Sequence, residues 1–114
     1  MMYEYLLLDE ERFIRENPGQ DIKELYKRIE VNANKVNLKL SKKTYDETGG
    51  GIFLETDDSV NEYRNRGCFF MAITLDMQVM EYLIKWRAIH NLERGGDSFD
   101  DEDILASMKR FGLR

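Results

Sequence analysis

The chain has 114 residues, 42% of them hydrophobic and 34% charged, with a net charge of −5 and one cysteine. A chain of that length and balance is a single domain, residues 1–114, able to bury its own core, which excludes wholesale disorder. A lone cysteine excludes an internal disulfide, and the apolar run around Cys68 marks it as a buried thiol in a reducing, cytoplasmic setting. The longest apolar stretch, Cys68 to Leu75, is far shorter than the ~20 residues of a membrane span. The acidic flanks of MMYEYLLLDEE do not make a signal sequence.

Along the first segment, Tyr3, Leu6, Leu7, Phe13 and Ile14 recur at helical spacing, so residues 3–16 are expected to form a helix, with Glu10 interrupting its stripe. Asn17-Pro18-Gly19 ends it and starts the next, Asn17 capping and Gln20 completing a capping box. Ile22, Tyr26, Ile29 and Ala33 follow at steps of four, three and four, the pattern of a second helix. From Lys35 the pattern alternates: Val36, Leu38 and Leu40 are separated by Asn37 and Lys39. A helix there would align Lys35, Lys39 and Lys43, so residues 35–44 read as a strand. Gly49-Gly50-Gly51 then turns the chain into a returning strand at 51–56.

Ser59 and Glu62 form a capping box for a long helix over about 59–93. Its evidence is a heptad seam of Cys68, Ala72, Leu75, Val79, Tyr82, Trp86 and Ile89. A strand over 68–75 followed by a helix from Asp76 is the competing reading, because Gly67 disfavours a helix interior by about 1 kcal/mol. Phe69, Phe70, Met71 and Ile73 make this helix apolar almost all round, which implies burial against a second copy and hence a homodimer. Ser98 or Asp100 caps a last, short helix with Ile104, Leu105, Met108 and Phe111 as its stripe. The expected fold is an α-rich α+β helical hairpin or bundle, dominated by the long helix and carrying one small β-hairpin.

Charge is distributed in blocks. Residues 47–58 hold four acids and no cation, and residues 93–103 hold six acids against Arg94. Residues 20–46 hold seven cations and four anions. Lys35, Lys39, Lys42 and Lys43 lie in the cationic block, but the acidic total and the lack of interleaved aromatics argue against direct nucleic-acid binding. Catalytic motifs are absent: one histidine, no Gly-x-Ser-x-Gly, and no Lys-Ser/Thr after the glycines. His90 and Glu93 have ligand-like spacing but no second such pair, so no metal or other cofactor is expected. The run from Asp97 to Met108 starts like a calcium loop but lacks its glycine and closing glutamate.

Two functional expectations follow. The first is a non-enzymatic protein-binding protein, an acidic inhibitor or adaptor of a nucleic-acid-processing enzyme of phage or mobile-element type. It would present Glu55, Asp57, Asp58, Asp97, Asp100, Asp101 and Asp103 as a mimic of a phosphate backbone, unless these acids serve only as helix caps. The second is a small-ligand site for a nucleotide or phosphate built from Tyr63, Arg64, Arg66 and Trp86, unless these are solvated arginines beside core aromatics.

Overall fold

A computed structural model describes residues 2–42, 50–56, 61–89 and 101–112, apart from the side chains of Glu62 and Asp101. Its elements are β1 (Met2–Leu8), α1 (Glu10–Glu16), α2 (Ile22–Asn34), β2 (Lys39–Leu40), β3 (Ile52–Thr56), α3 (Glu62–Thr74), α4 (Met77–Tyr82), β4 (Leu83–Ile89), β5 (Asp101–Asp103) and α5 (Ile104–Arg110). The strands form one antiparallel sheet in the order β2-β3-β1-β4-β5. Without β5 this is the split β-α-β-β-α-β arrangement, each crossover being a pair of helices. The sheet overturns the expected helical bundle, and among the described residues no long helix dominates.

The first correction is at the N-terminus. Residues 3–16 are not one helix but β1 followed by α1. Six of the seven residues in MYEYLLL are apolar because β1 is the central strand, paired on both edges and buried on both faces. Near-continuous apolarity hides the period of two, and Tyr3, Leu6 and Leu7 then mimic a helical stripe. The helix starts only where Asp9 accepts a hydrogen bond from the Arg12 N–H. Asn17 ends α1 rather than starting α2, and Asp21 caps α2 by accepting from the Lys23 N–H. The α2 stripe lies where its spacing placed it, with Ile22, Ile29 and Ala33 buried and Tyr26 packed at its margin.

Within the described part of the expected strand at 35–44, residues 35–42, only Lys39–Leu40 is strand, paired with Glu55 and Leu54 of β3. Asn37 adopts a positive φ of 64°, which breaks the alternation before it can extend. The outermost of the described strands, β2 and β5, are very short.

Over its described part, residues 61–89, the expected helix of 59–93 is three elements. Residues 62–74 are helical, so the strand considered at 68–75 does not form. The chain breaks at Asp76, whose side chain accepts from the Val79 N–H to cap α4 while Arg28 grips both its oxygens at 2.7 and 3.0 Å. From Leu83 onward it is a strand on β1. The heptad seam therefore did not describe one face. Asn65, Phe69 and Ile73 are the buried residues of α3, whereas Cys68 is exposed and Leu75 is 77% exposed. Trp86 and Ile89, neighbours on the supposed seam, lie in separate core clusters on opposite faces of the sheet. An irregularity in β4 explains the misreading: Leu7 pairs with Lys85 but Leu8 pairs with Leu83. The skipped residue, Ile84, puts Leu83 and Trp86 three apart on one face, a helical spacing inside a strand.

At the C-terminal end, α5 is capped by Asp103, which accepts from the Ala106 N–H. Ser98 and Asp100, the expected caps, lie outside the described residues, as does Ser59 ahead of α3. The helices cover one face of the sheet, where Leu6, Leu54, Trp86 and Ala88 join Phe13, Ile29, Phe69 and Ile104 in the main core. Tyr3, Tyr5, Phe53 and Ile89 form a smaller cluster on the other face, with Tyr3 and Phe53 stacked at 5.2 Å. Among the described residues no helix is long and apolar enough to cross a membrane.

Candidate ligand-binding site

Two helices frame a depression on the helical face of the sheet. On α3, Tyr63, Arg66, Gly67 and Phe70 follow at intervals of three, one and three, which places them on one side of a helix. On α5 and its cap, Ile104, Ser107, Met108 and Phe111 repeat those intervals. The two stripes face each other across a cavity of about 330 Å³, floored by Glu4, Trp86 and Glu102. That volume lies at the small end of ordinary ligand sites.

Strand register builds the floor. Glu4 pairs with Ala88, and Ala88 pairs with Glu102, so the three side chains form one row on one face. The small Ala88 between two carboxylates leaves room above it, and Arg66 reaches down from α3 into that room. Its guanidinium lies 3.8 Å from Glu4 Oε1 and 3.8 Å from Glu102 Oε2, within ion-pair range of both. The Trp86 indole N–H donates to Glu4 Oε2 at 3.2 Å. Phe70 stacks on the Trp86 ring at 5.6 Å, and Phe69 meets its edge at 6.1 Å. The Ser107 hydroxyl donates to Glu102 Oε1 at 3.3 Å and accepts from Arg110, tying α5 to β5.

Glu4 is 2% exposed. Burial pushes its carboxyl up from 4.5 to about 7; Arg66 and the Trp86 N–H pull it down, and the Glu102 charge adds to the rise. A proton can therefore be held or released at Glu4 near neutral pH. Tyr63 and Phe111, 72% and 73% exposed, stand at the mouth as aromatic walls. Gly67 is in a helix interior, where Ala would be favoured by about 1 kcal/mol. A Cβ placed there would meet nothing within 4 Å.

Three of the four residues expected to form a ligand site, Tyr63, Arg66 and Trp86, come together here. The fourth, Arg64, is exposed and does not line the cavity. Sequence reading missed Glu4, although the lone acid of MYEYLLL shares its alternation with Met2, Leu6 and Leu8 once β1 is read as a strand. It also missed Gly67 and the α5 wall, whose stripe had been read only as core.

The three described residues of the expected acidic surface lie on two strands. Glu55 lies on β3, opposite Tyr3 and Lys39, and Asp101 pairs with Ile89 on β5. Asp103 caps α5 and approaches Arg87 at 3.6 Å. Asp57, Asp58, Asp97 and Asp100 lie outside the described residues, as do His90 and Glu93. Residues 101–110 are strand and helix, not a calcium loop. Cys68, expected to be buried, is exposed on α3. Among the described residues no cluster of three or more potential ligands could hold a metal ion.

No protein-family model, no curated protein and no solved structure matches this chain, so its function has to be read from the site itself.

Proposed function

We propose that the chain is a small-ligand-binding protein whose site is the cavity between α3 and α5. The observation that carries this reading is Glu4: a carboxyl buried in the floor of an aromatic-walled cavity, held by Trp86 and Arg66. Burying an ionisable group is unfavourable, and a core position opposite Ala88 would be better filled by Leu if packing were its only task. Gly67 supports the same reading, since a helix-weakening residue on the cavity wall keeps open a space that any side chain would begin to fill. The acidic inhibitor or adaptor remains the rival; three of its seven residues, Glu55, Asp101 and Asp103, are among those described, on β3 and β5.

The test is a fragment screen by amide chemical-shift mapping on the full chain. Bound fragments should perturb residues 63–70 and 104–111, and Gly67→Leu should remove those perturbations while leaving the melting temperature equal or higher. Fragments that map elsewhere, or that bind Gly67→Leu equally well, would overturn the proposal.

A further inference from the structure

Resting on that reading of the cavity, we infer that its ligand is a monocation on a flat aromatic frame, a benzylic amine or an aryl amidine, with its charge against the carboxylates of Glu4 and Glu102 beside Arg66 and its ring toward Tyr63 and Phe111. The argument is one of charge. Among the described residues the cavity wall contributes one guanidinium, Arg66, and two carboxylates, Glu4 and Glu102. With both acids ionised the wall carries one excess negative charge. A phosphate or carboxylate would deepen that excess, and it would have to compete with both acids for Arg66. With a neutral ligand, only the proton that Glu4 holds up to about pH 7 removes the excess. A single positive charge cancels it, and opposite charges in a partly desolvated site attract far more strongly than in water.

The geometry agrees. Glu4 and Glu102 lie on alternate strands with Ala88 between them, roughly 10 Å apart across the sheet by ordinary strand spacing. Their carboxylates have lone pairs beyond those facing Arg66, Trp86 and Ser107, and an amidine can use two at once. The mouth carries one aromatic ring on each helix, Tyr63 and Phe111, which suits a flat ring, and the Arg110 guanidinium lies over the Phe111 ring at 5.6 Å. This corrects the expectation of a nucleotide or phosphate ligand, which counted Arg64 and Arg66 but not the acids around them.

Proton linkage follows. Among the described residues the groups facing Glu4 are Arg66 from α3, Trp86 from β4 and Glu102 from β5; its β3 neighbour Leu54 is apolar, and Ser107 of α5 is linked to it through Glu102. A cation selects ionised Glu4 and expels the proton held there, so its affinity should be about tenfold lower at pH 6 than at pH 8 for a carboxyl near 7.

The probes are benzamidine, benzamide and benzoate, alike in shape and differing by one charge at each step. Trp86 is the only tryptophan, so its fluorescence reports each titration directly. Benzamidine should bind at least tenfold more tightly than benzamide, and benzoate more weakly still. Glu4→Gln should weaken benzamidine at least tenfold and spare benzamide, and Gly67→Leu should abolish both. Benzamide or benzoate binding as tightly as benzamidine, with loss in Gly67→Leu, would overturn the ligand class and keep the cavity as the site. Binding of all three that Gly67→Leu leaves intact, or no binding of any, would overturn both.

Discussion

Replacing Glu4 by Gln should remove a pH dependence of stability that the native chain carries between about pH 4.5 and 7. The folded pKa is raised, from 4.5 to about 7, because the buried carboxyl resists ionisation. Below the unfolded value both states hold the proton, and burial is least unfavourable. As pH rises, the unfolded chain ionises freely while the folded one keeps its proton, and stability falls until the folded pKa is passed. Above it the loss is constant. At 1.36 kcal/mol per pH unit the full loss is about 3 kcal/mol. Glutamine can still accept from the Trp86 N–H and never ionises, so it is free of this loss. Urea denaturation of both proteins at about pH 4 and pH 8 gives the comparison. With a slope of ~1–3 kcal/mol per molar urea, the gap between the two midpoints should change by roughly 1–3 M across that range, in favour of the variant at high pH. A gap that stays constant would refute the placement of Glu4 in the sheet floor.

Three further substitutions test the fold that holds the site. Gly51 has a φ of +77°, and a Cβ there would lie 2.7 Å from the Leu6 carbonyl oxygen and 2.7 Å from the Tyr5 hydroxyl. Gly51→Ala should therefore destabilise the chain by about 3 kcal/mol in chemical denaturation. Asp76→Ala should remove both the α4 cap and the Arg28 grip, costing about 1–2 kcal/mol by thermal unfolding. Burial opposes Asp76 ionisation, but Arg28 and the Val79 and Gln78 N–H groups outweigh it and hold its pKa below 3.8. Its contribution is thus present above the ordinary carboxylate range and lost as pH falls through the folded value. Asp103→Ala should lower stability by about 1 kcal/mol through the lost α5 cap, a loss that Asp103→Asn largely avoids.

How much of this was legible in the sequence depended on where each element sits. The α2 stripe could be read because one face of that helix is buried and the other is wet, leaving a clean 3.6-residue period. β1 could not, because a central strand buried on both faces carries no alternation to read. β4 was concealed by its irregularity at Ile84, which converts a two-residue period into a three-residue step, and its pairing with β1 overrides the local pattern. The site was half legible. Arg66 and Trp86 stood out as a cation and an aromatic of the right chemistry, but their partner Glu4 is more than 60 residues away in sequence and joins them only through the strand order. The acidic blocks drew attention by their density alone; of their described members, Asp103 serves as a helix cap.

The central claim is that the cavity between α3 and α5 takes a small molecule, and native mass spectrometry of the chain purified gently from the cell that makes it tests this most directly. The account predicts a mass increment of a small, positively charged molecule on the native chain, absent from Gly67→Leu prepared in the same way. A bare native chain accompanied by a protein partner, retained by Gly67→Leu and lost on charge reversal at Asp101 and Asp103, would contradict it.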